Sequence, residues 1–377
     1  MAGPPRLLFH VQHLLGIGHL RRAALLAQGL VRGGFAVTVA QGGEPSAPFG
    51  FGGAEVVQLP PLRSAGSDFG GLVDAAGRPL DAAGEAARRD ALLALFDRVK
   101  PDIVLLESFP FGRRQMRFEL VPLLQRIAAS RPRPRVAVSI RDILQRRKPE
   151  RERETAALVA AHVDRVLVHG DPSLVRLEES FGAADRIADR IAYTGYVAPP
   201  APAPRPRDGV IVSAGGGAVG AALLRAALDA RAMPRQGALP WTLLTGPNLP
   251  ATDFDRLCAA SAAGVTVARA VPDLAAALAG AVVSVSQAGY NTVMDIAVSG
   301  VPAVLVPFAG SGETEQPMRA ARLATLGLVA VVDEAGLTPR SLADAIDAAA
   351  AHPTHWPDLA LDGAAVSACL LRECVHG

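Results

Sequence analysis

The sequence predicts an α/β protein built from two Rossmann-like, doubly wound domains that face one another across a cleft. Three observations predict it. Short runs rich in Val and Ile alternate with Ala/Leu stretches of helical period, the pattern of a parallel sheet covered by helices. The order strand, glycine turn, helix occurs twice, opening near residues 6 and 209. Between the two, residues 198–207 read APPAPAPRPR, a composition that makes a semi-rigid extended linker. The expected domains are 1–198 and 209–377, joined by a linker at 199–208, with a return of the final helix to the first domain left open.

In the first domain, residues 6–12 read as a strand, 16–18 as a glycine turn, and 20–32 as a helix closed by Gly33 and Gly34. Strands are expected at 36–40, 103–107, 135–140, 165–169 and 190–193. The run RRKPERER at 146–153 mixes both signs and reads as a solvated helix start. After the linker come a strand at 209–213, a glycine turn at 215–217 and a helix at 218–232. Further strands are expected at 241–245, 265–268, 281–284 and 303–307, and residues 341–375 are helical in character. In folds of this kind ligands sit beyond the carboxyl ends of the strands.

Bulk properties narrow the function classes. The chain has 377 residues, half of them apolar, enough for two cores. Its formal net charge of +2 gives no reason to expect a nucleic-acid partner. Cys258, Cys369 and Cys374 have no CxxC spacing, which argues against a disulfide framework or a zinc site and fits a reducing, cytoplasmic setting. The apolar run at 7–15 is interrupted by His10, Gln12 and His13 and does not read as a signal peptide. Residues 274–285 are too few for a membrane span and read as a helix followed by a strand. A peripheral contact with the inner membrane face is left open.

Three constellations carry chemistry. The first is Gly16-Ile17-Gly18-His19-Leu20-Arg21-Arg22, between the first strand and the first helix. Glycines there let backbone amides approach an anion or a sugar, and the helix N-terminus adds a favourable dipole. His19 in the first turn is the candidate general base, an imidazole able to take a proton from a hydroxyl; the alternative is a turn-packing His. His10 and His13 read as structural. The second is Gly215-Gly216-Gly217-Ala218-Val219-Gly220, which fits GxGxxG. A nicotinamide fingerprint also expects an acid after the next strand, and Thr245-Gly246-Pro247-Asn248 supplies none.

The third is SVSQAGYNTVMDIAVSGVPAVLVPF at 284–308. A strand ends at Ser286, Gln287 and Gly289 follow, and a short helix begins. Amides around Asn291 and Thr292 would face a diphosphate. Asp295, one turn in, could accept both vicinal hydroxyls of a ribose, or be a solvated helix carboxylate. Glu315 and Gln316 lie in the loop after the next strand and could reach a donor sugar.

Residues 284–328 resemble the donor-binding segment of the MurG-type peptidoglycan N-acetylglucosaminyltransferases and their GT-B relatives. The matching positions are Gly289, Thr292-Val293, Asp295, Gly300-Val301-Pro302-Ala303, Val306-Pro307-Phe308, Gln316 and Ala320-Ala321-Arg322-Leu323. The GIGH turn and the Gly215 loop are similar to that family's two glycine loops. The resemblance implies a base at His19, a nucleotide loop at Gly215 to Ala218 with Gly217 in place of a serine, diphosphate-facing amides at Asn291 and Thr292, a ribose contact at Asp295 in place of Glu, and a donor-sugar contact at Gln316. Gln287 stands where a basic residue is common. The implied donor is a UDP-sugar.

The acceptor side is expected at Gly16, Gly18, Glu107, Arg113, Arg114 and Asp142. Arg113 and Arg114 could pair with an acidic or phosphorylated acceptor by charge-assisted hydrogen bonds, and Asp142 is a second candidate base. The cluster at His169-Gly170-Asp171 also follows a strand. No DxD-type acidic cluster stands at the expected donor site, so neither a metal nor another cofactor is expected. The leading expectation is an inverting hexosyltransferase whose partners are a nucleotide-sugar donor and a lipid, metabolite or glycan acceptor. The rivals are a nucleotide-sugar hydrolase or epimerase, an NAD(P) oxidoreductase, and a non-catalytic sugar-nucleotide binder. Donor consumption without acceptor separates the hydrolase.

Overall fold

The computed structural model describes residues 3–14, 18–45, 49–66, 71–216, 220–352, 356 and 359–376. They form two compact units, Met1–Val197 with Ala360–Gly377, and Ala198–Leu359.

The first unit runs β1 (Arg6–Val11), α1 (Gly18–Arg32), β2 (Ala36–Gln41), β3 (Glu55–Gln58), β4 (Leu62–Ser64), β5 (Leu72–Asp74), α2 (Ala82–Val99), β6 (Ile103–Glu107), α3 (Arg117–Ala129), β7 (Arg135–Arg141), α4 (Pro149–His162), β8 (Arg165–His169) and β9 (Ile191–Tyr193). Seven strands form a parallel sheet ordered β3-β2-β1-β6-β7-β8-β9. Alternate residues feed two apolar layers. Leu8, Val104, Leu106 and Val138 face α2, α3 and α4, whereas Leu7, Phe9, Ile103 and Leu105 face α1. All five residues of β6 are buried, as strands covered on both faces require.

The second unit runs β10 (Val210–Ser213), α5 (Ala221–Ala230), β11 (Trp241–Leu244), α6 (Ala251–Ala260), β12 (Val265–Ala268), α7 (Leu274–Ala279), β13 (Val283–Ser286), α8 (Tyr290–Ser299), β14 (Ala303–Leu305), α9 (Glu315–Thr325), β15 (Ala330–Val331) and α10 (Pro339–Ala351). Its six-stranded parallel sheet is ordered β12-β11-β10-β13-β14-β15. Trp241, 1 % exposed, packs among Val212, Leu243, Val283 and Leu342, and its Nε1–H donates to Gln236 O at 3.1 Å.

Both sheets are doubly wound. Strand order reverses between β1 and β6 in one and between β10 and β13 in the other. Such switch points open a crevice at the carboxyl ends of the strands.

The last helix, α11 (Gly363–His376), packs on α1 of the first unit, so residues 360–377 leave the second unit in which the sequence division placed them. The reason is steric fit. A Cβ built on Gly29 would stand 2.6 Å from Ala364 Cβ, and one on Gly33 would stand 2.5 Å from Ala368 Cβ. Backbone bonds between Tyr196 and Ala360 (2.6 Å) and between Gly363 and Tyr196 (3.0 Å) fix the return.

Three features escape the sequence pattern. Strand β3 is an edge strand with most residues exposed, β4 and β5 are a three-residue antiparallel pair, and β15 has two residues. None is long or alternating enough to show a period. The strand expected at 281–284 lies two residues later, at Val283–Ser286. Gly280 N and Ala281 N still bond back to the last turn of α7, to Ala277 O at 3.1 Å and Leu278 O at 3.0 Å.

Candidate functional site

The first cluster stands at the β1/β6 switch point. Gly16 and Ile17 lie outside the described residues, and Gly18 opens α1 on the exposed side. His19 sits in the first turn of α1, and its Nδ1 is 2.7 Å from Glu107 Oε1. Glu107 is the last residue of β6, so adjacent strands bring together residues 88 apart. Arg22, one turn beyond His19 on the same helix face, donates from Nη2 to the same oxygen at 2.5 Å. Ser108 Oγ donates to it at 2.9 Å. Arg22 and Glu107 are buried, and the His19 ring keeps 21 % of its surface exposed.

These environments set the protonation states. Burial pushes the His19 imidazole down to about 3; the Glu107 carboxylate pulls against this, while Arg113 and Arg141 reinforce it. Burial opposes ionisation of Glu107, but its interaction with His19, a hydrogen bond from the ring, and the charges of Arg22 and Arg113 hold its carboxyl below the ordinary range. The pair is therefore a neutral imidazole and a carboxylate at neutral pH. Nδ1 carries the proton and donates it to Glu107, and Nε2 keeps its lone pair for an incoming proton. Sequence reading missed Arg22 and placed Glu107 on the acceptor side. The i, i+3 spacing of His19 and Arg22 was the available signal.

The loop after Glu107 is bent. Ser108 and Arg113 have φ of 65° and 57°, left-handed values that cost non-glycine residues energy and concentrate at functional sites. Arg113 returns to the β1 exit, where its Nε donates to Gln12 O at 2.8 Å. Arg114 is not brought to this cluster: it pairs with Glu154 of α4 at 2.7 Å and is 56 % exposed. Asp142, just after β7, is buried. His169 is buried with both ring nitrogens engaged, at 2.8 Å from Ser139 Oγ and 2.8 Å from Thr194 Oγ1. Burial pushes it, too, down to about 3, so it is a neutral strut rather than a base. His10 belongs to a separate buried network with Glu119 (3.1 Å), which also pairs with Arg88 (2.8 Å).

The second cluster stands at the β10/β13 switch point. Gly215 has φ of 71° and Gly216 follows; Gly217 lies outside the described residues. Gly246 allows the neighbouring loop to close on this turn, because a Cβ there would meet Gly215 O at 2.1 Å. Asn248 Nδ2 donates to Gly216 O at 2.7 Å. Ser286 ends β13 fully buried, its Oγ without a hydrogen-bond partner among the described residues, and Gln287 beside it is 8 % exposed. Gly289 is the N-cap of α8, with no side chain capping it, and Asn291 and Thr292 lie in the first turn. Asp295 is fully buried in the second turn.

Gln316 and Glu315 hold this turn from α9. Gln316 Oε1 accepts from Ala288 N at 3.0 Å and Phe308 N at 3.2 Å, tying the β13 and β14 exits together. Glu315 is buried and pairs with Arg319 at 3.0 Å; Arg319 also donates to Ala288 O at 2.9 Å. Sequence reading took Glu315 and Gln316 as sugar contacts and missed Arg319, although the i, i+4 spacing of Glu315 and Arg319 was visible. Among the described residues no group of three or more His, Cys, Asp or Glu is placed to hold a metal ion, and no helix is long and apolar enough to cross a membrane.

Comparison with known proteins agrees with this architecture. Residues 211–359 match the glycosyltransferase family 28 C-terminal domain. A 99-residue segment is 36 % identical to the UDP-N-acetylglucosamine–N-acetylmuramyl-(pentapeptide) pyrophosphoryl-undecaprenol N-acetylglucosamine transferase of Methylobacterium radiotolerans, covering 26 % of this chain and 27 % of that one. The corresponding enzyme of Thermotoga neapolitana is 41 % identical over 64 residues, covering 17 % of this chain and 19 % of its own. The chain thus aligns with about a quarter or less of the length of these relatives. Among solved structures, the calicheamicin glycosyltransferase CalG4 superposes with a TM-score of 0.61 at 18 % identity, covering 100 % of this chain and 96 % of that one. Acinetobacter baumannii MurG gives 0.59 at 17 % identity, covering 98 % and 100 %. The fold is that of the GT-B glycosyltransferases, and the resemblance drawn from the motifs is borne out.

Proposed function

We propose that this chain is an inverting glycosyltransferase that moves a hexose or N-acetylhexosamine from a nucleoside diphosphate sugar to a hydroxyl acceptor, without a metal or cofactor. The observation that carries the reading is the His19–Glu107 pair at the switch point of the first unit. The family 28 match over 211–359 supports a nucleotide-sugar donor on the second unit, and the names of its relatives favour UDP.

The chemistry follows from the protonation states. Glu107 holds the Nδ1–H tautomer, and His19 Nε2 accepts the acceptor's hydroxyl proton as its oxygen bonds to the anomeric carbon. The bond from that carbon to the diphosphate oxygen breaks at the same time, and the electron pair leaves on the diphosphate. One displacement with no protein nucleophile inverts the anomeric centre. Amides of the first turn of α8, at Asn291 and Thr292, with Gly289, Ser286 and Gln287 beside them, would stabilise the leaving charge together with the helix dipole. The Gly215 to Gly217 loop would accommodate the nucleotide and Asp295 its ribose. Gln316 and the Glu315–Arg319 pair act as positioning groups that keep the α8 entrance in shape.

Calorimetry of the purified chain with UDP, other nucleoside diphosphates and NAD(P) tests the donor half, repeated on Asp295→Ala. Saturable binding of one nucleoside diphosphate, weakened in the variant, is expected; binding of NAD(P) alone refutes the reading. Donor turnover without any acceptor, abolished in His19→Ala, would reassign the chain as a hydrolase.

A further inference from the structure

The β1–β6 ladder ends at His10 and Leu106, short of the residues that shape the first cluster. Two side-chain bonds join the segments beyond it. His19, in the first turn of α1, meets Glu107, the last residue of β6, at 2.7 Å. Arg113, at the far end of the loop that Glu107 begins, donates from Nε at 2.8 Å to the carbonyl of Gln12, the first residue after β1. Glu107 is also the counter-charge of Arg113. The Gln12 bond thus closes the opposite ends of the two segments that meet at His19 and Glu107.

Gln12 is in turn held by a buried cation. Arg88 of α2 is fully buried. Its Nη2 donates to Gln12 Oε1 at 2.7 Å and to Glu119 Oε1 at 3.3 Å. Its Nη1 donates to Gly42 O at 2.9 Å and to Pro60 O, and its Nε lies 2.8 Å from Glu119 Oε2. Gln12 completes the knot by donating from its amide to His13 O at 2.9 Å and Leu62 O at 3.1 Å. One guanidinium therefore binds the segments that leave β1, β2 and β3. Gly42 is fitted to this contact: a Cβ there would stand 2.0 Å from Gln12 Oε1 and 2.2 Å from Arg88 Nη2.

Stability alone does not account for a cation at this place. Burial works against the charge, and replacing a buried ion pair by apolar side chains is often neutral or stabilising. Leu92, Leu95 and Phe96 already fill the buried face of α2 with apolar groups. What an apolar side chain could not do is donate to Gln12, Gly42 and Pro60.

We infer that Arg88 is a positioning residue for the candidate base: held in the core by Glu119, it fixes Gln12, and Gln12 through Arg113 fixes the Glu107 carboxylate against His19. The description of His19 as a base rests on the transferase reading; the coupling of Arg88 to the His19 ring does not.

The test reads the His19 imidazole by NMR in the full chain, with isotope-labelled histidine and no substrate, its signals assigned by their loss in His19→Gln. Two variants break the link by different means. Gly42→Ala keeps every charge and forces Arg88 and Gln12 apart. Arg88→Met/Glu119→Gln removes the cation without stranding a buried carboxylate. Gly33→Ala is the control, because its Cβ would stand 2.5 Å from Ala368 Cβ and loosens the α1–α11 packing without touching Arg88 or Gln12. At a temperature where the chains are folded, wild type and G33A are expected to hold His19 as the Nδ1–H tautomer, and G42A and the double variant to show a mixture of both tautomers. Once an acceptor is found, kcat of G42A is expected to fall about 10- to 100-fold with nucleotide affinity unchanged. Wild-type His19 signals in either link-breaking variant that folds, or an equal change in G33A, overturn the inference. A coupled ring in a chain that binds no nucleoside diphosphate would keep the link and remove the transferase reading; an uncoupled ring with nucleotide binding intact would do the reverse.

Discussion

Replacing Glu107 with Gln separates two jobs that one carboxylate performs. Arg22 and Glu107 are 2 % and 0 % exposed and meet at 2.5 Å. Removing one partner of such a pair leaves an uncompensated buried charge, and the cost is about 3–5 kcal/mol. At roughly 2–4 °C per kcal/mol for a unit of this size, the first unit should melt about 6–20 °C lower. The same change replaces an acceptor-only carboxylate with an amide that can bond either His19 tautomer, so turnover should fall by about 10²–10⁴. The double variant Arg22→Met/Glu107→Gln distinguishes the two losses. It has no buried cation left to strand, so calorimetric unfolding should recover most of the stability. Turnover should stay low, because His19 still lacks its carboxylate. Recovery of turnover in the double variant would refute the orienting role of Glu107. A Glu107→Gln chain less than about 1 kcal/mol weaker than wild type would refute the buried-pair reasoning itself.

The histidines give pH predictions. His19 is neutral in the fold down to about pH 3, so the acid limb of kcat/KM should lie well below 6.5, and a limb at 6.5 would remove His19 from the base role. His169 is likewise depressed to about 3, so the unfolded chain binds a proton that the native chain refuses. Stability should therefore fall as pH drops from about 6.5 toward 3, and His169→Asn should flatten urea-derived stability against pH by about one proton, ~1.4 kcal/mol per pH unit. Gln316→Leu takes the acceptor from two amides, so donor affinity should drop about 10-fold with the first unit's melting unchanged. Gly33→Leu drives a side chain into Ala368 and should destabilise the α1–α11 packing by about 1–3 kcal/mol or more, read as faster proteolysis of the C-terminal helix.

Much of this protein is written locally. Runs such as 103–107 and 165–169 show their strands because parallel strands buried on both faces must be continuously apolar. Glycine turns after β10 and before α8 were legible because the chain must turn sharply where a strand becomes a helix. Spacing also placed His19 in the first turn of α1. What the sequence could not show is pairing across distance. Glu107 reaches His19 because β1 and β6 are neighbours in the sheet, and Gln316 joins Ala288 to Phe308 because α9 folds back on two strand exits. The final helix left the second unit for α1 because Gly29 and Gly33 let two backbones approach, a complementarity between segments more than 300 residues apart. Periodicity and turn chemistry act between near neighbours, and so the sequence by itself determined the long buried strands, the fold class and the candidate base, but not the short strands β3, β4, β5 and β15. Which carboxylate orients that base, which cation shares that carboxylate and which unit holds the chain end depend on strand order and close packing, and only the tertiary structure decided them.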